Sequence, residues 1–173
     1  PECVKLNTTP NIAGFNQRRE SGKTAGKDLY QKLINGTIPC RKALINGEVK
    51  IQDTIDIVCH SMGFAYTLGI LDELKTKIAH FGWLYCIAPE NGCSGEIPLN
   101  TAGQSLFDEV WQYGSNELPV SQGGDILWEQ DGVAPQCAIK GLDLQDQERC
   151  GRLFIPNYVP KGFIPSHQIK NYD

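Results

Sequence analysis

The stretch Thr54-Ile55-Asp56-Ile57-Val58-Cys59-His60-Ser61-Met62-Gly63-Phe64 decides how this chain is read. Residues 54–58 are a β-branched run of the kind that fits a pleated strand. From 62 to 77 the apolar residues recur at 64, 68, 71 and 74, which places them on one face of a helix. Cys59-His60-Ser61 must then be a sharp turn. A second apolar run at 81–88 reads as the next strand, so strand, helix and strand succeed one another as in a parallel βαβ unit.

A serine at such a turn is pushed out of the sheet on a strained backbone. The helix beginning beneath it offers the Met62 N–H to an oxyanion that develops beside the hydroxyl. The two flanking positions need small residues, because a bulky side chain there collides with the adjoining strand and helix. Gly63 meets this demand and Cys59 meets it less well. The bland reading of Ser61 is a helix N-cap.

Cys59-His60-Ser61-Met62-Gly63 resembles the Gly-His-Ser-Met-Gly elbow of the α/β-hydrolase serine lipases and esterases. The resemblance implies an α/β-hydrolase-like domain, a mostly parallel sheet with helices on both faces, and a triad in chain order Ser, acid, His. Three histidines are available, at 60, 80 and 167. His60 adjoins the nucleophile and points away from it, and His80 precedes a strand at the wrong end of the sheet. His167 is left as the base, with a solvated surface histidine as its bland alternative. Asp131-Gly132-Val133-Ala134-Pro135 resembles the Asp-Gly-Val-Val-Pro stretch that carries the acid in many lipase-like hydrolases, so Asp131 is the acid expected from the resemblance. Its bland reading is a turn-forming Asp-Gly pair. Asp125 and Glu129 stand in reserve, and Asp143 and Asp146 are more remote.

Away from this centre the chain reads as one domain over 1–173. Residues 1–24 are polar and turn-rich, and 25–34 carry Leu29, Leu33 and Ile34 at helical spacing before Asn35-Gly36. Over 89–124 the pattern dissolves into Gly, Pro, Asn and Ser around an apolar patch at 106–111. That stretch is either a lid or insertion or ordinary core. Strands are expected at 125–128 and 152–155, with a helical piece at 135–144 and a tail of loop after 156. The family's earlier strands and its Gly-rich oxyanion loop are not visible upstream. Either the chain is a compact or truncated member whose second oxyanion donor comes from a turn over 9–15, or part of the catalytic domain is missing. In the second case the sheet edge beside Thr54 is unpaired and open to self-association.

Glu20-Ser21-Gly22-Lys23-Thr24 imitates the end of a phosphate-binding loop, but Gln17 stands where the pattern requires its first glycine. Nucleotide binding is rejected, and Arg18, Arg19, Lys23 and Lys27 read as a solvated helix start. A net charge of −4 with scattered Lys and Arg gives no footprint for nucleic acid. No apolar run reaches the roughly 18 residues of a membrane span. Seven cysteines, with no Cys-x-x-Cys, read as buried free thiols and leave the compartment open. Asn7-Thr8-Thr9 and Asn35-Gly36-Thr37 match a glycosylation pattern too short to decide it.

The expected activity is hydrolysis of carboxylic esters, of lipids or other acyl chains, through an acyl-enzyme on Ser61, with Asp131, His167 and the Met62 N–H in support. Neither metal nor cofactor is expected. An acyltransferase or thioesterase would use the same triad. A non-catalytic interaction module on a degraded hydrolase fold is the alternative from another class.

Overall fold

A computed structural model describes residues 4–6, 14–89, 92–114 and 138–154. Helix α1 (Phe15–Ile34) is followed by strands β1 (Lys42–Ile45) and β2 (Glu48–His60), helix α2 (Gly63–Leu74) and strand β3 (Ile78–Ile87). Strands β4 (Phe107–Gly114) and β5 (Cys150–Phe154) follow, and among the described residues the five strands form one sheet of order β1-β2-β3-β4-β5. Within that sheet β1 pairs antiparallel with β2, and β2 through β5 run parallel. The sheet is thus mixed and mostly parallel, in keeping with an α/β reading.

The hairpin joining β1 to β2 turns on Asn46-Gly47, both with φ near the left-handed region (53° and 81°). That is the sequence pair a two-residue hairpin favours, because its twist matches that of the flanking strands. The hairpin covers only the first part of β2. Beyond Asp53, β2 has no second strand neighbour among the described residues.

The buried core lies between the sheet and the helices, with Phe64, Leu68, Leu71 and Leu74 of α2 over Ile51, Leu84, Cys86 and Val110. Helix α1 joins from the side of α2, contributing Leu33. Where helices on both faces were expected, the described residues place α1 and α2 on one face. Val58, Trp83 and Leu153 stand on the other, 61%, 48% and 39% exposed.

Helix α1 begins at Phe15, ten residues before the sequence suggests. Its buried positions are Arg18, Gly22, Gly26 and Leu33, so much of its packing face carries no large apolar side chain for periodicity to detect. Gly22 and Gly69 cross where the helices touch. A Cβ on Gly69 would lie 1.9 Å from the Arg19 carbonyl oxygen, and one on Gly22 would lie 2.0 Å from that of Tyr66. Gly22-Lys23-Thr24 is therefore the middle of a packed helix. Arg18, read as solvated, is buried at 6% exposure.

The stretch 89–124, read as either a lid or insertion or ordinary core, contains β4, whose Phe107, Val110 and Gln112 are buried between β3 and β5. The expected helical piece over 135–144 is, in its described part, a single 3-10 turn at Leu142–Leu144. The strand at 152–155 corresponds to β5, and 125–128 lies outside the described residues.

Candidate active site

Strand β2 ends at His60 and α2 begins at Gly63, leaving Ser61 and Met62 to make the whole connection. Ser61 takes a left-handed backbone there, at φ = +56°, where an L residue brings its Cβ too close to the carbonyl. The turn is pinned on both sides. The Ser61 N–H donates to the Ile87 carbonyl at 3.0 Å, and the Ser61 carbonyl accepts from the Phe64 N–H at 3.2 Å. Phe64 is wholly buried and anchors the start of α2.

The N-cap of α2 is Met62, in the right-handed region and without a side-chain cap. Ser61 lies one residue earlier, with a φ of opposite sign to the extended backbone of a capping serine. The Met62 N–H belongs to the leading amides that helix geometry leaves without an intrahelical acceptor.

Cys59 and Gly63 face one another across the turn. A Cβ built on Gly63 would sit 3.9 Å from the Cys59 Cβ, an ordinary contact. The position next to the strand therefore accepts a side chain as small as cysteine. Cys59 is 6% exposed and in register with the fully buried Cys86 of β3. The neighbouring Cys59 thiol, together with burial, holds the Cys86 thiol well above its ordinary value.

A second strained residue stands beside the first. Ala88 follows β3 as Ser61 follows β2, with φ = +42°, no exposure, and its N–H on the Tyr113 carbonyl at 2.9 Å. Residues held in sparsely populated regions cluster at functional sites. Nothing in the apolar run 81–88 announces this one, although the Pro89 that follows is itself a turn signal.

His80 lies near the amino end of β3, its Nε2 2.9 Å from Asp108 Oδ2. Seven residues of strand, about 23 Å, separate that level from the carboxyl end where Ser61 sits. Asp146 also belongs to the amino end, its carbonyl accepting the Cys150 N–H at 2.7 Å where β5 begins. Asp131 and His167 lie outside the described residues, as do Asp125, Glu129 and most of the 9–15 turn. The serine and the Met62 amide are thus the two members of the expected site that the structure positions.

Among the described residues there is no group of three or more His, Cys, Asp or Glu that could hold a metal ion, and no helix long and apolar enough to cross a membrane. The cysteines are not all free thiols: Cys93 is disulfide-bonded. Cys40, Cys59, Cys86 and Cys150 are free, while Cys3 and Cys137 lie outside the described residues. Compared with known proteins, the chain matches no family, no curated sequence and no solved structure.

Proposed function

We propose that this chain is a serine hydrolase of the α/β-hydrolase type that cleaves carboxylic esters of lipids or other acyl chains. The observation that carries the reading is the left-handed φ of Ser61 in a two-residue connection from a parallel strand to a helix. A strained serine over a helix N-terminus suits nucleophilic attack, because the hydroxyl is held clear of the strand and a fixed N–H awaits the oxyanion.

In this scheme Ser61 Oγ attacks the ester carbonyl while His167 takes its proton, and the tetrahedral oxyanion is stabilised by the Met62 N–H. His167 then protonates the departing alkoxide, leaving an acyl-enzyme. Water, deprotonated by the same imidazole, releases the acid and restores the serine. Asp131 holds the imidazole tautomer and supports the imidazolium.

The test is covalent. A fluorophosphonate probe is expected to label the chain at Ser61, located by peptide mapping, and Ser61→Ala is expected to remove the label. Asp131→Asn should lower ester turnover by several powers of ten, on the order of 10⁴ in the best-studied triad. A folded chain that neither labels nor turns over an activated ester would leave the interaction-module reading in its place. Labelling of a different residue would move the nucleophile.

A further inference from the structure

Cys59 and Cys86 are nucleophilic groups that the proposed chemistry does not use, and they occupy a particular place. Cys59 lies two residues before Ser61, and Cys86 directly precedes Ile87, whose carbonyl holds the Ser61 N–H. They are register partners on adjacent parallel strands and both point into the core. We infer that Cys59 and Cys86 are a reversible dithiol–disulfide site, which closes by exchange with a small-molecule disulfide and thereby resets the turn that carries Ser61. The regulatory half of this inference rests on the reading of Ser61 as a nucleophile.

The geometry suits closure. Neighbouring strands lie about 4.8 Å apart, inside the 4.4–6.8 Å range of Cα separations that disulfides bridge. As register partners buried on the same face of adjacent strands, the two side chains are immediate neighbours. Cys59, at 6% exposure against none for Cys86, is the thiol an incoming reagent meets first. Its thiolate attacks one sulfur of the reagent and releases one thiol. Cys86 then gives up its proton and attacks the Cys59 sulfur, expelling the second. The protein loses two S–H bonds and gains one S–S bond; the reagent loses one S–S bond and gains two S–H bonds. The Cys93 disulfide shows that this chain already carries one oxidised cysteine.

Closure acts on the turn because a disulfide draws its two Cβ atoms to about 3.8 Å, roughly 1 Å nearer than the strand spacing leaves them. The next rung along the two strands ends in the Ser61–Ile87 hydrogen bond. A shift of that size at a reacting group costs up to about a hundredfold in rate.

The experiment incubates the full chain with oxidised glutathione and follows three readouts: the linked peptide, exchange of the Ser61 amide, and the rate of fluorophosphonate labelling. The expected result is a Cys59–Cys86 linked peptide lighter by two hydrogens, altered exchange at Ser61, and labelling slowed by about tenfold to a hundredfold. A dithiol reductant should restore all three. Cys86→Ala and, independently, Cys59→Ala should abolish both the linked peptide and the sensitivity to oxidant. Absence of the linked peptide while Cys40 or Cys150 is modified would overturn the inference, as would its formation with labelling and exchange unchanged. A reduced chain that does not label at all defeats the hydrolase reading instead, and exchange at Ser61 then decides the switch by itself.

Discussion

Two replacements of Ser61 that both lack the hydroxyl should differ in stability in the direction opposite to the usual one. In an ordinary position glycine is less stable than alanine by about 0.5–1 kcal/mol, because its unfolded chain has more freedom to lose. At φ = +56° alanine keeps the steric penalty of the left-handed region, about 1–2 kcal/mol, and glycine escapes it. Subtracting one from the other leaves Ser61→Gly more stable than Ser61→Ala by about 0.5–1 kcal/mol. In a chain of this length that is a rise in Tm of about 1–4 °C. Differential scanning calorimetry of the two purified variants, neither of which should label with a fluorophosphonate, measures it directly. If the glycine variant melts at or below the alanine variant, Ser61 is not held in the left-handed region in solution. The observation on which the hydrolase proposal rests is then gone.

Gly69→Ala drives a Cβ to 1.9 Å from the Arg19 carbonyl oxygen and should force the helices apart at a cost of about 1–3 kcal/mol. Gly63→Ala, whose nearest neighbour is 3.9 Å away, should be neutral or stabilising by up to about 1 kcal/mol, and urea titration of the pair checks both. The Asp72 carboxyl is held below the usual range by the Arg19 guanidinium, which donates to both of its oxygens at 2.8 and 2.9 Å against the opposing effect of burial. Its folded pKa is depressed, so its stabilisation is complete above the unfolded value of about 3.9 and is lost as pH falls through the folded one. Asp72→Asn should flatten that acid limb by no more than about 0.5–1 kcal/mol, since Arg19 is 40% exposed and solvent screens the pair. An unchanged slope between pH 5 and pH 2 (about the span of the titration) would show that the bridge adds nothing.

What could be read from the letters was what periodicity and β-branching report. The run after Gln52 became β2, the 64-68-71-74 spacing became α2, the apolar run from Phe81 became most of β3, and the turn at Ser61 fell where those patterns meet. The first half of α1 was hidden because glycines and a buried arginine line its contact face, and a hydrophobic pattern cannot register a close approach of backbones. β4 was hidden because Asp108 and Glu109 interrupt its apolar residues, leaving Phe107, Val110 and Gln112 as inward positions that no strict alternation would select. β1 was missed although Asn46-Gly47 states its hairpin plainly; its exposed, four-residue Lys-Ala-Leu-Ile strand carries almost no burial signal. One irregularity could only be seen in three dimensions. Gly82 leaves room for the Asp56 carboxylate, which accepts the Trp83 N–H at 2.9 Å where the β2–β3 register slips.

The strain at Ser61 is sustained by the sheet around it. His60 is locked in register with Ile87, the Ile87 carbonyl holds the Ser61 N–H, and Ile87 is itself in register with Tyr113. Ala88, equally strained, hangs by its N–H from the Tyr113 carbonyl. The hydrogen bonds thus run from β2 to β3 to β4 along the carboxyl ends of three parallel strands, and each unfavourable dihedral is fixed at a point where the next strand leaves the backbone no alternative. On the far side of the turn, Phe64 lies fully buried and meets Phe15 edge-on at 6.2 Å between ring centroids, which ties the first turn of α2 to the start of α1. A strained residue persists only when its surroundings over-determine it. Here those surroundings are drawn from β2, β3, β4, α1 and α2, so the conformation of Ser61 is a property of the whole described fold. The pentapeptide Cys59-His60-Ser61-Met62-Gly63 alone could not impose it, and the same five residues in a loop would carry no such geometry.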